Sequence, residues 1–207
     1  MSGISALQEA TKPRQGNRPS YDEAYVMWAL NLIHDEPPMG RLTLMKKLGL
    51  SEASVKTMLK RLREMGLITV DRIGGTELTE GGKRLVEGWR SRVRISEVYI
   101  NSLNWKAIQL VILGGKNLVE REGVIQLRDL IIRTGAEATL ITIKENQGIE
   151  IPPKTEDFSI KSLLQEVSLL SSSLPVGSLI IYLIPQDIHL AYKVGISLLE
   201  HESRISS

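Results

Sequence analysis

Apolar residues recur at helical spacing through the first half of the chain and gather into strand-length runs in the second. Regular order is expected from Ser20, because Ser20-Tyr21-Asp22-Glu23 has the form of a capping box. Tyr25, Trp28, Ala29 and Leu32 follow as one stripe predicted to be buried. Pro37-Pro38 ends this helix, since proline has no amide hydrogen and restricts the residue before it. A short second helix is predicted over 41–48, with Leu42, Met45 and Leu48 inward and Lys46 and Lys47 outward. Gly49 then fits the position just past the helix end. The third helix, 51–65, opens on Ser51 as N-cap and turns Val55, Met58, Leu59 and Leu62 to the core. Its opposite face carries Ala53, Lys56, Thr57, Lys60 and Glu64, flanked by Arg61 and Arg63. Residues 67–73 have strand character, Gly74-Gly75 makes a tight turn, and 76–78 returns as a second strand. Thr79 caps a fourth helix that runs through Leu85, Val86 and Trp89.

In the second half, strands are predicted over 107–113, 137–143, 149–151 and 178–184, and helices over 124–134, 159–170 and 186–202. This order matches the split β-α-β-β-α-β pattern of ferredoxin-like domains. The unbroken apolar runs of the first and last strands require cover on both sheet faces. Either the last helix supplies it, giving a small three-layer α/β domain, or a second subunit does. The expected fold class is therefore α+β with two domains. The expected organisation is a flexible arm over 1–19 that carries Lys12, Arg14 and Arg18, a domain of four helices and a hairpin over 20–92, a linker or helix extension over 93–106, and an α/β domain over 107–207.

Composition narrows the function classes. Of 207 residues, 42% are hydrophobic and 24% charged, which suits a chain that buries a core. No apolar run reaches the roughly 18–20 residues a membrane span needs, and the start has no apolar stretch of signal-peptide type. The absence of cysteine excludes disulfides and thiolate metal sites. A cytoplasmic protein with no membrane partner is the expectation. The net charge of +2 conceals an uneven distribution: residues 40–72 hold 8 Lys/Arg against 3 Asp/Glu. A compact basic block of this kind gains affinity for polyanions by releasing counterions from phosphates.

Three short motifs then coincide: Leu48-Gly49-Leu50-Ser51, Leu62-x-x-x-Gly66-Leu67-Ile68, and Leu78-Thr79-x-x-Gly82-x-x-Leu85. In that order and spacing, the stretch resembles the DNA-binding domains of MarR- and PadR-like bacterial and archaeal regulators. The resemblance implies a winged helix-turn-helix over 20–92, with the 51–65 helix in the major groove of double-stranded DNA and a wing around 67–78. On that reading Ala53, Lys56, Thr57 and Lys60 face base edges, with Ser51 and Ser54 at the start of the same helix. Thr43, Lys46, Lys47, Arg61 and Arg63 hold phosphates, and Arg72 with Gly74 and Gly75 carries the wing to the neighbouring backbone or minor groove. The second half resembles an uncharacterised domain fused to archaeal winged helices. That resemblance implies a regulator, expected to be a homodimer, whose second domain dimerises, binds a small-molecule effector, or both.

Catalytic signatures are missing. His34, His189 and His201 share no metal-ligand spacing, and the chain contains no HExxH, GxSxG or Walker A motif. Gly114-Gly115-Lys116 reads as a strand-ending turn before it reads as a phosphate cradle. Trp28 and Trp89 read as packing residues. No cofactor and no enzymatic activity are expected. Two other readings stay open: an enzyme or nucleotide-binding module that uses the winged helix for protein contacts, and a sequence-tolerant architectural DNA binder.

Overall fold

The computed structural model describes residues 3–71, 73–153 and 160–205. The chain divides after Arg90 into two compact units.

In the N-terminal unit the core follows the amphipathic period of its helices. These are α1 (Gly3–Thr11), α2 (Glu23–Asp35), α3 (Arg41–Leu48), α4 (Glu52–Glu64) and α5 (Glu80–Arg90). A hairpin of β1 (Ile68–Asp71) and β2 (Gly75–Leu78) separates α4 from α5, in antiparallel register from Ile68↔Leu78 to Asp71↔Gly75. Val55, Met58 and Leu62 of α4 are fully buried, and Leu59 nearly so, as their i, i+3, i+4, i+7 spacing requires. Arg90 ties α5 back to α2: its Nε donates to Asn31 Oδ1 at 2.8 Å and its Nη2 to Asp35 Oδ1 at 2.7 Å.

Several details depart from the sequence reading. The first residues hold a helix, α1, because Ala6, Leu7 and Ala10 form a short apolar stripe that is buried. The capping box does not form. Asp22 is the N-cap of α2 and accepts from the Tyr25 amide at 3.0 Å. Glu23 instead accepts from the Thr11 hydroxyl, and Ser20 bonds to Ser54. The buried face of α2 is centred on Met27, Leu30 and Ile33, while Tyr25 and Trp28 are half-buried and stack on each other. In α3 the core residues are Leu44 and Leu48, and Leu42 points outward at 66% exposure. Met39, just after Pro37-Pro38, pairs with Thr76 and adds a third short strand position to the wing.

The C-terminal unit is a five-stranded sheet in the order β3-β4-β7-β5-β6, every neighbouring pair antiparallel. The strands are β3 (Val93–Ile100), β4 (Trp105–Ile112), β5 (Ala138–Glu145), β6 (Gly148–Glu150) and β7 (Leu179–Ile184). The helices are α6 (Lys116–Glu122), α7 (Val124–Thr134), α8 (Lys161–Leu170) and α9 (Ile188–Ile205). The stretch 93–106, expected to be a linker or a helix extension, thus holds β3 and the start of β4. Val93, Ile95, Val98 and Ile100 give β3 enough apolar side chains to pair along its whole length with β4, from Val93↔Ile112 to Ile100↔Trp105.

Alternation along β4 and β7 assigns the two faces. Ala107 and Val111 of β4, with Ile180 and Tyr182 of β7, pack with Leu163 and Val167 of α8. The intervening residues, Ile108, Leu110 and Ile112 with Leu179, Ile181 and Leu183, are equally buried and face the side on which α7 and α9 lie. Of the two architectures expected, this is the three-layer one. The ferredoxin-like order is not realised, because β7 occupies the slot between β4 and β5 and leaves β6 at the edge. Among the described residues, no helix is long and apolar enough to cross a membrane.

Candidate nucleic-acid interface

The turn between α3 and α4 is built by residues suited to each place. Gly49 ends α3 at φ +68°, a conformation that costs glycine little. Ser51 then caps α4 by accepting from the Ser54 amide at 3.2 Å. With its apolar stripe locked inward, α4 presents Ala53, Lys56, Thr57, Lys60 and Arg63, all exposed. On α3, Thr43, Lys46 and Lys47 are exposed as well.

These cations are not equivalent. Lys47 donates to Glu36 at 2.7 Å, and Lys60 stands 4.0 Å from Glu64. Lys46, Lys56 and Arg63 have no hydrogen-bond or ion-pair partner within 4.0 Å among the described residues. The Glu64 carboxylate is held below the usual carboxylate range by a 2.7 Å hydrogen bond from Arg14 Nη1, which raises the Arg14 pKa in turn. Arg41, which the sequence reading passed over, pairs with Glu52 at 2.9 Å.

Two expected contact residues are turned elsewhere. Arg61 is 5% exposed, and its Nη1 donates to the carbonyls of Ala10 at 3.0 Å and Lys12 at 2.6 Å. Its position beside Leu62 on the inward half of α4 puts it against the N-terminal segment, so it is a structural tie and not a phosphate contact. Ser54 is also buried, its Oγ lying 2.5 Å from Ser20 Oγ and 2.8 Å from Ser51 Oγ. Those bonds consume the hydroxyl that a DNA contact needs.

The wing turn is shaped by Gly74 and Gly75. Gly75 has φ +93°, and a Cβ there would lie 3.1 Å from the Met39 carbonyl oxygen. A Cβ on Gly74 would come 3.0 Å from the Asp71 carboxylate, which accepts from the Ile73 amide. Ile73 stands almost fully exposed at the tip. Arg72 lies outside the described residues. After the wing, Gly82 packs where no side chain fits: a Cβ would sit 2.1 Å from the Leu67 carbonyl oxygen. This close approach is the physical content of the glycine in Leu78-Thr79-x-x-Gly82.

Nothing at Gly114-Gly115-Lys116 suggests a phosphate cradle. A Cβ on Gly115 would fall within 3 Å of Ile112 and Leu179, so close packing requires the glycine. Lys116 is engaged by Glu145 at 2.8 Å and Glu120 at 3.5 Å. Among the described residues no group of three His, Asp or Glu side chains is placed to hold a metal ion. His34 meets Asp35, and His201 meets Glu122, each at 3.1 Å.

Comparison with known proteins follows the same division. Residues 29–69 match the family model described as winged helix-turn-helix DNA-binding, and residues 103–202 match that of a domain of unknown function (DUF4443). Over 87 residues the chain is 32% identical to the transcriptional regulator MntR of Escherichia coli O6:H1 and to that of Escherichia coli O157:H7. That similarity takes in 42% of this chain and 56% of each relative, so the chain spans little more than half their length. In fold, the chain is similar to the hypothetical protein PH0730 from Pyrococcus horikoshii OT3, with a TM-score of 0.64 and 22% identity. The likeness covers 90% of this chain and 95% of that one. The N-terminal unit therefore carries a winged helix-turn-helix domain, and the C-terminal unit carries a DUF4443 domain.

Proposed function

We propose that the protein is a transcriptional regulator that binds double-stranded DNA through α4 and the β1–β2 wing. One observation carries this reading. The outer face of α4 presents Lys56, Thr57 and Lys60, all exposed, opposite a stripe of four apolar residues that seats the helix in the core. A helix held in that way fits the major groove, where lysine meets guanine O6 and N7 and a threonine methyl meets thymine. Lys46 on α3 and Arg63 at the end of α4 are placed to hold phosphates, which fixes register without reading sequence. The similarity to MntR, named as a transcriptional regulator, supports the same reading. Fluorescence anisotropy with labelled duplexes across a salt series tests it. Affinity should fall steeply with salt, and one selected duplex should bind far more tightly than random sequence. Salt-independent or absent binding contradicts the reading, and equal affinity for all duplexes indicates the architectural alternative.

We further propose a homodimer assembled through the C-terminal unit. The outer face of α7 supports it, since Ile125 and Ile132 are exposed by 69% and 41% and lie two turns apart, with Arg128 and Asp129 between them. In an antiparallel pairing across a two-fold axis, each isoleucine meets its opposite number and Arg128 meets the partner's Asp129. Half-sites should then repeat at about one helical turn of DNA or a multiple of it. Light scattering should report twice the mass of a single chain, with Ile125→Asp reducing it to the single-chain value.

A further inference from the structure

By sequence the N-terminal segment reads as a frayed arm in preference to a phosphate contact through Lys12, Arg14 and Arg18, yet the structure seats it against α4. Arg61 reaches from α4 to bind the Ala10 and Lys12 carbonyls, and the Tyr21 hydroxyl donates to Ala10 as well, at 3.1 Å. Ser20 joins Ser54 of α4, and Arg14 joins Glu64. Between these ties, residues 12–18 form a loop closed by the paired backbones of Arg14 and Asn17, with its turn at Gln15 and Gly16.

Residues 10–21 contain Lys12, Arg14 and Arg18 and no acidic residue. All three cations are exposed; Lys12 stands 3.8 Å from Glu9 and Arg14 2.7 Å from Glu64, and Arg18 has no hydrogen-bond or ion-pair partner within 4.0 Å among the described residues. Arg14 and Arg18 line one side of a shallow depression of about 330 Å³ whose other side is formed by Ala53 and Thr57 of α4. The positive surface of the loop is thus continuous with the helix face that the preceding reading places in the major groove.

We propose that this loop is a second DNA contact, an Arg/Lys clamp on the phosphate backbone flanking the groove that α4 enters. The inference rests on the DNA-binding reading and adds to it a contact from residues well outside the winged-helix match. Its chemistry is that of phosphate recognition by guanidinium groups, which is independent of sequence and adds to the counterions released on binding. Arg61 acts through other groups: it holds the loop at the height of α4 and is a positioning residue.

Binding of a random-sequence duplex by the full chain, measured against salt concentration, tests this. Lys12 and Arg18 are exposed and their replacement removes no core area, so Arg18→Gln and Lys12→Gln/Arg18→Gln should melt as the unaltered chain does. The slope of log K against log salt should fall by about 0.9 for Arg18→Gln and about twice that for the double variant. Discrimination between a selected and a random duplex should be unchanged. An unchanged slope in the double variant, with the unaltered chain binding normally, overturns this proposal alone. Failure of the unaltered chain to bind any duplex overturns the DNA-binding reading and this proposal with it.

Discussion

Arg61 Nη1 donates a 3.0 Å hydrogen bond to the carbonyl of Ala10, joining the inward edge of α4 to the end of a helix 51 residues earlier in the chain. A buried guanidinium is tolerated only where its donors find acceptors, and the carbonyls of Ala10 and Lys12, left without helical partners at the end of α1, supply them. Removing it takes a donor from both carbonyls: Ala10 keeps the Tyr21 hydroxyl, and the partly buried Lys12 carbonyl loses its charged partner. Arg61→Leu should therefore cost on the order of 1–3 kcal/mol in urea denaturation. It should also raise hydrogen exchange in α1 selectively. A variant as stable as the parent, with α1 still protected, would show that the N-terminal segment is held by its apolar stripe alone.

Two glycines of α5 make an internal control. At Gly82 an added Cβ collides with the backbone of Leu67, whereas at Gly88 it meets nothing within 4 Å. Gly82→Ala should destabilise by about 1–3 kcal/mol through forced displacement of the wing. Gly88→Ala should stabilise by about 0.5–1 kcal/mol, because alanine loses less backbone entropy in a helix. Thermal melts of the two variants should move in opposite directions.

The carboxylate of Glu166 fastens α8 to the β3–β4 turn. It accepts from the backbone and hydroxyl of Ser102 at 2.9 and 2.7 Å, and from the backbone and side chain of Asn101. These donors, Ser102 foremost, lower its pKa from the ordinary 4.5 to about 2. A carboxyl whose folded pKa is depressed contributes stability that is present above its unfolded value and lost as pH falls through the folded one. The stability difference between the parent and Glu166→Gln should therefore be constant above about pH 5 and should shrink between pH 4.5 and pH 2. A difference that does not vary with pH in that window would mean the four donors do not favour the ionised form in solution.

The α4 stripe, the Gly49 turn and the glycine-tipped hairpin were legible because spacing and backbone conformation dictate them at each residue. The rotation of α2 is not legible in its stripe: Tyr25 and Trp28 fall at helical spacing and are large and aromatic, yet Met27, Leu30 and Ile33 lie deeper. Strand β3 is hard to see in the sequence because Ser96 and Glu97 are polar in succession and shift its alternation from Val93 and Ile95 to Val98 and Ile100. The sheet order was beyond local pattern altogether: β7 reaches its central place through pairings with strands some 40 and 70 residues distant. At the interface, Arg61 looked like its neighbours Lys60 and Arg63. Only the placement of α1, set by three small or apolar residues in a polar stretch, reveals that it points inward.

Glu64 sets an acidic group among the cations of α4, 2.7 Å from Arg14 and 4.0 Å from Lys60. On a DNA-facing surface that carboxylate repels phosphate and occupies two positive charges. Glu64→Gln should strengthen binding to random duplex several-fold at low salt, with the gain disappearing as salt rises. A weaker or unchanged affinity would place Glu64, and the end of α4 with it, away from the DNA.

Lys60 is exposed on the outer face of α4 and contributes nothing to the core, so a change there isolates base reading by this helix. The measurement is the affinity of Lys60→Ala for a duplex selected from a random library and for unselected duplex, side by side with the parent chain. The account predicts a loss of about 1–3 kcal/mol on the selected duplex, relaxed preference at one base pair, a much smaller loss on the unselected duplex and an unchanged melting temperature. Equal losses on the two duplexes would show that α4 lies along the backbone and does not read sequence, and no loss on either would contradict the interface itself.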